Sequence, residues 1–259
     1  MMFDLNSKII LITGGAGLIG SRFSEIILRH NGLPIILDNS KKNISSLKKR
    51  LSKISAKKPE FHNVDITNKK RVENIINQIT KKYKRIDCLI NNAATNPKSN
   101  NKKNNFENIS LDQWNKEINI GLTGALIVTQ AVVNKMIKQR YGNIINISSD
   151  LGIIAPNQKI YGSSKKPITY SVIKHGIIGF SKYLSTYLTD YNIRSNTLCP
   201  GAIKYKVKKS LIKNIKKLIP LNRMAEIDDY DGIILYLCSD KSSYMNGSTI
   251  ICDGGRTVW

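Results

Sequence analysis

Residues 8–38 read Lys8-Ile9-Ile10-Leu11-Ile12-Thr13-Gly14-Gly15-Ala16-Gly17-Leu18-Ile19-Gly20, then Ser21-Arg22-Phe23-Ser24-Glu25-Ile26-Ile27-Leu28-Arg29-His30-Asn31-Gly32, then Leu33-Pro34-Ile35-Ile36-Leu37-Asp38. The unbroken apolar run Lys8–Thr13 predicts a strand buried on both faces. Apolar residues then recur at helical spacing from about Leu18 to His30, and Leu33–Asp38 predicts a second buried strand. Strand, glycine turn, helix and strand make one βαβ unit. Its first turn has the form that brings a backbone close to a pyrophosphate at a helix N-terminus. Asp38 closes the second strand about twenty residues beyond the glycines, where a carboxylate accepts hydrogen bonds from ribose hydroxyls. That carboxylate would repel a 2′-phosphate and favours NAD, while nearby Lys41 and Lys42 keep NADP open.

The alternation continues along the chain. Further strands are predicted at Phe61–Val64, Ile86–Asn91, Asn143–Ser148, Arg194–Leu198 and Ser248–Cys252. Helices are predicted around Ile44–Ile54, Val72–Ile79, Leu111–Glu117, Leu122–Ile137, Thr169–Thr189 and Asp228–Leu237. Strict alternation implies a three-layer, doubly wound parallel sheet of Rossmann-like type, with ligands beyond the carboxyl ends of the strands. No linker divides residues 1–259, so one domain is expected. Three polar or irregular segments interrupt it: Thr95–Asn108, Asp150–Pro167 and Ile203–Pro220. The last carries Leu211, Ile212, Ile215 and Leu218 at helical spacing, so residues 201–220 are expected to form a substrate lid.

Composition bounds the function. Hydrophobic residues make up 41% of the chain, enough for a sizeable core. The apolar run at Ile9–Thr13 is too short to span a bilayer, and nothing resembling a secretory cleavage site follows it, so a cytoplasmic location is expected. Cys88, Cys199, Cys238 and Cys252 are widely spaced, and neither a metal site nor a disulfide framework is expected. The net charge of +23 is spread over nearly every segment, alongside abundant Asn and Ile. It forms no basic stripe interleaved with aromatics, so a nucleic-acid partner is not expected, but a positive surface suits an anionic small-molecule substrate.

The remaining motifs resemble those of the short-chain dehydrogenase/reductase family over nearly the whole chain. Asn91-Asn92-Ala93-Ala94 is similar to that family's Asn-Asn-Ala-Gly element, Asp65-Ile66 to its adenine-binding acid and neighbour, and Pro200-Gly201 to its turn beside the nicotinamide. The ending Met245–Gly255 is similar to that of the classical subfamily. The resemblance implies cofactor contacts at Gly14, Gly17, Leu18, Ile19, Asp38, Asp65, Ile66, Asn92, Ala93, Ala94, Tyr170, Lys174, Pro200, Gly201 and Ile203. It also implies a homodimer or homotetramer.

Members of that family use a Tyr-x-x-x-Lys pair, and two are present: Tyr161–Lys165 and Tyr170–Lys174. Tyr170–Lys174 continues into an amphipathic helix, Pro200 follows Tyr170 by 30 residues as is usual, and Pro167 would break a helix begun at Tyr161. Residues four apart on a helix share a face, so the Lys174 ammonium is expected to acidify the Tyr170 phenol for proton exchange with an alcohol or ketone. Ser149 matches the family's serine, with Ser148 the alternative; its distance of 21 residues from Tyr170 implies an insertion within Gln158–Thr169.

Three departures stand out. Leu18 replaces a glycine, as in relatives that modify nucleotide sugars; Gly121 occupies the position of the proton-relay asparagine; and Tyr205 stands where a threonine often follows Pro-Gly. The expected activity is NAD(P)-dependent oxidation or reduction of a secondary alcohol or ketone, with a sugar of a surface-polysaccharide or flagellin-glycan pathway as substrate. A 3-oxoacyl-carrier-protein reductase is the alternative enzyme. A non-catalytic NAD(H)-binding regulator is the alternative of another class, raised by Gly121.

Overall fold

The computed structural model describes residues 3–55, 57–95, 105–162 and 165–259. Seven strands form one parallel sheet, ordered β3-β2-β1-β4-β5-β6-β7. They are β1 (Ile9–Thr13), β2 (Leu33–Asp38), β3 (Glu60–Asn63), β4 (Cys88–Asn91), β5 (Gly142–Ile147), β6 (Ile193–Pro200) and β7 (Thr249–Cys252). Strand order reverses between β1 and β4, the position where ligands settle in such sheets. The helices are α1 (Leu18–Arg29), α2 (Lys41–Leu51), α3 (Lys69–Tyr83), α4 (Leu111–Ile118), α5 (Gly124–Gln139), α6 (Ile168–Tyr187), α7 (Lys209–Lys216) and α8 (Asp231–Cys238).

The continuous apolar strands are buried on both faces, and β1 divides its side chains between two cores. Ile9 and Leu11 join Val72, Ile76 and Ile79 of α3 and Val128, Val132 and Met136 of α5. Ile10 and Ile12 join Phe23, Ile26 and Ile27 of α1 and Ile234, Leu235 and Leu237 of α8. Each such side chain contributes about 1.5–3 kcal/mol by leaving water. Local signals set the helix starts: Ser40, Asn68 and Ser110 cap α2, α3 and α4 by accepting from Asn43, Arg71 and Gln113 N–H groups. Pro167 immediately precedes α6, where its missing N–H costs nothing.

Two sequence expectations need correction. Leu111–Glu117 and Leu122–Ile137 are not separate helices; α4 runs into α5 through a π turn at Asn119–Thr123. This 29-residue helical run is long and apolar enough to cross a membrane, yet half of its apolar window is buried in the protein. The stretch Asp228–Leu237 begins as a 3₁₀ turn, Ile227–Tyr230, before α8. The four cysteines are free thiols, and Cys88 lies close enough to Cys238 in the core to push that thiol up together with burial. Residues 96–104 of the polar run Thr95–Asn108 and residues 163–164 of the second irregular segment lie outside the described residues.

Candidate active site

The glycine turn is shaped by close backbone contacts. Gly14 has φ +60°, and a Cβ there would lie 2.9 Å from Ala93 Cα. A Cβ on Gly20 would lie 2.2 Å from the Gly14 carbonyl oxygen, so only glycine lets α1 approach its own entry turn. β4 buttresses the turn: Asn92 Nδ2 donates to the carbonyls of Thr13 and Gly14, both at 3.0 Å. Thr13 Oγ1 accepts from the N–H groups of Asn92 (3.0 Å) and Ala93 (3.1 Å). The Asn92 side chain therefore shapes the cradle. Leu18 is partly exposed at the start of α1, while Ile19 packs against the core.

Asp38 joins that cradle to the next helix, accepting from Ala16 N–H at 3.1 Å and Ser40 N–H at 2.9 Å. Asp65 is exposed and accepts from the Thr67 N–H at 2.9 Å, whereas Ile66 is buried behind it against Gly124. Ala94 follows Ala93 at the end of β4. Pro200 ends β6, Gly201 packs on Asp253, and Ile203 makes a single bridge to Ala225.

β5 and α6 bring Ser149, Tyr170 and Lys174 together. Ser148 and Ser149 diverge: Ser148 Oγ donates to the Lys174 carbonyl at 2.6 Å, while Ser149 Oγ donates to Asp150 Oδ1 at 2.7 Å and lies close enough to Tyr170 to influence its phenol. Lys174 Nζ donates to the Ile147 carbonyl at 2.9 Å and lies 5.8 Å from the centroid of the Tyr170 ring. Tyr161 ends the 3₁₀ turn Gln158–Tyr161 and is off α6, so only Tyr170 shares a helix with its lysine.

Burial dominates the electrostatics. It pushes the Tyr170 phenol up to about 12, against the pull of the Ser149 hydroxyl, with Asp150 and Tyr161 pushing the same way as burial. The expected acidification by Lys174 is therefore not achieved by the side chains alone. Desolvation outweighs an ammonium that points at a carbonyl. Burial also brings Lys174 down to about 8, helped by Lys166, and raises the nearby Cys199 thiol to about 11.

Three charged groups not anticipated from the sequence surround this trio. Lys166, in the insertion, places Nζ 3.6 Å from the centroid of the Tyr170 ring, and burial brings it down to about 8. Asp150 and Arg256 form a 2.6 Å ion pair with side-chain exposures of only 3% and 5%. Tyr161 sits close enough to feel both charges, although burial is the larger influence on its raised phenol. The insertion also meets the 201–220 segment: Ile160 packs with Ile215 and Ile219, and Asn214 Nδ2 donates to the Ile160 carbonyl at 3.2 Å.

The relay position is closed. Gly121 is buried, and a Cβ there would come 2.6 Å from Ile173 Cγ2. Asn119, two residues earlier in the same π turn, is exposed. Tyr205 is half exposed on the 201–220 segment.

With this geometry the relatives agree. A family model described as enoyl-(acyl carrier protein) reductase matches residues 19–257. A 3-oxoacyl-[acyl-carrier-protein] reductase of Thermotoga maritima is 33% identical, over 98% of this chain and 99% of the relative. Post-translational flagellin modification protein A of Campylobacter coli is 32% identical, over 97% and 98%. Among solved structures, a short chain dehydrogenase from Leptospira borgpetersenii with bound NAD+ superposes with TM-score 0.88 and 30% identity, over 98% of this chain and 94% of that one. A parallel sheet with a glycine cradle at its switch point, matched by such relatives, defines an oxidoreductase acting on alcohols or ketones. The chain belongs to the short-chain dehydrogenase/reductase family.

Proposed function

We propose that the chain is an NAD-linked oxidoreductase for a secondary alcohol or ketone on a polar, anionic sugar-type substrate, acting in the cytoplasm in surface-glycan synthesis. The observation that carries this reading is the wall around Tyr170. Tyr161 and Lys166 give a cationic, hydrogen-bonding surface suited to an oxygen-rich anion and costly to cover with an acyl chain, with the buried Asp150–Arg256 pair behind it. The 32% identical flagellin modification protein supports the same pathway. The cradle of Gly14, Gly17 and Gly20 leaves room for a pyrophosphate at the start of α1, and Asp38 favours NAD over NADP.

When bound, the nicotinamide accepts or supplies a hydride and, oxidised, adds a positive charge to the site. Tyr170 gives its proton to the carbonyl oxygen in reduction and recovers one from the alcohol in oxidation. Ser149 orients the reacting oxygen, and the Lys174 ammonium stabilises the phenolate left when Tyr170 gives up its proton. Residues 201–220 close over the substrate, with α7 already seated on Ile160. Copies associate as a dimer or tetramer through α5 and α6, where Leu126 and the stacked Tyr183–Tyr187 pair are exposed.

The alternative is a 3-oxoacyl-carrier-protein reductase, favoured by the 33% identical Thermotoga maritima relative and by a charge of +23 that would attract acidic carriers. Absorbance at the NADH band, with nucleotide-linked uronic and ulosonic sugars set against acetoacetyl-carrier protein, separates the two. Turnover of the carrier substrate alone overturns the sugar reading. No turnover of any substrate, with NAD still bound, returns the regulator reading.

A further inference from the structure

Ser149 has one hydroxyl proton, and the structure shows where it goes. Ser149 Oγ lies 2.7 Å from Asp150 Oδ1, and a carboxylate can only accept. Asp150 is paired with Arg256, whose Nη1 donates to Oδ2 at 2.6 Å. The Leu151 N–H fixes the same rotamer by donating to Asp150 Oδ1 at 2.8 Å. The Asp150 and Arg256 side chains are 3% and 5% exposed, so water does not compete for them. With its proton turned to Asp150, Ser149 offers only lone pairs toward Tyr170, so the phenol is the only possible donor between the two. Ser149 donates to Asp150, and Arg256 holds that carboxylate from the other side.

We propose that Asp150, clamped by Arg256, is a positioning residue that turns the Ser149 hydroxyl away from Tyr170 and keeps Tyr170 in its protonated form. A phenol supplies a proton to a ketone, and a phenolate removes one from an alcohol. The ligand-free site thus holds Tyr170 as a proton donor. This rests on the roles of Ser149 and Tyr170 given above. The other groups facing the phenol are Lys174 on its own helix, Lys166 before that helix and Tyr161 from the insertion. Cys199 of β6 stands next to Lys174, and Glu117 of α4 is engaged by the Thr169 hydroxyl. None of these takes the serine proton.

Tyrosinate absorbance near 295 nm, followed against pH in the full chain, isolates Tyr170 as the difference between each protein and its Tyr170→Phe counterpart. In Asp150→Asn, the amide can donate to Ser149 and free the serine proton for the phenolate. The Tyr170 step is expected to move down by about one pH unit or more, a tenfold or greater gain in ionisation. Loss of a negative charge alone would also lower it, so the same change is made in Ser149→Ala, where most of the shift is expected to vanish. An unmoved step in Asp150→Asn, or an equal shift with and without Ser149, overturns the proposal. If Asp150→Asn does not fold, Asp150→Ala with Arg256→Met removes the whole ion pair, a replacement buried pairs often tolerate, and is judged by the same shift. The titration needs no turnover. Retained activity in Tyr170→Phe would instead undo the catalytic assignment while leaving the titration informative.

Discussion

The two ends of the site are built from different materials. The cradle at β1 and β4 is made of backbone and small residues, with Asn92 and Thr13 holding the turn in shape. The wall around Tyr170 is made of long charged side chains brought together from the end of β5, the insertion and the residues after β7. A surface meant for a ligand shared by many enzymes can be fixed by chain conformation. A surface meant for one substrate has to be assembled from groups whose identities are free to change.

If that division is right, substitutions should separate cofactor binding from chemistry. Tyr170→Phe is expected to lower kcat by about 10³-fold or more while leaving NAD affinity, read by NADH fluorescence, nearly intact. Gly20→Ala should do the reverse. Its methyl collides with the Gly14 carbonyl, so NAD binding is lost, at a stability cost of about 1–3 kcal/mol in denaturant unfolding.

Lys166→Met is expected to lower kcat/KM for an anionic substrate by about tenfold to a hundredfold, with NAD affinity unchanged. The same variant should be more stable than the parent at pH 7. Burial lowers Lys166 and Lys174 from 10.5 to about 8, so between these values the unfolded chain holds protons that the folded chain has released. That contribution to stability rises with pH through the window, and below it the cost of two buried ammonium groups is present in full. Melting curves from pH 7 to 10 should climb less steeply in Lys166→Met, and an unchanged slope would contradict the burial of that charge.

Asp38→Asn should weaken NAD by about tenfold and narrow its advantage over NADP. The smallest effect on activity is expected for Gly121→Asn. It restores the relay residue but drives it into Ile173, so stability falls by about 1–3 kcal/mol with no gain in rate.

The cradle was legible because its signals are local. Glycines at fixed spacing between a buried strand and an amphipathic helix, with Asp38 at the next strand end, have few other uses. Tyr170 and Lys174 were legible for the same reason, being one helical turn apart after Pro167. The wall was not. Asp150 lies beside Ser149 in sequence, but nothing local says that Arg256 will meet it, and Lys166 reads as one more lysine in a chain carrying 41 Lys and Arg residues. An Asp directly after Ser148-Ser149 and an Arg directly after Gly254-Gly255 were the available hints, since a charge next to a buried turn needs a partner. The π turn is not legible either, because Ile118 to Thr123 keeps enough apolar residues to pass for a junction between two helices.

Arg256 neutralises Asp150 from beyond β7, and Trp259 Nε1 donates to the Leu218 carbonyl in the 201–220 segment. Loss of residues 256–259 would strip a buried carboxylate of its counter-charge and free the Leu218 carbonyl in the same stroke.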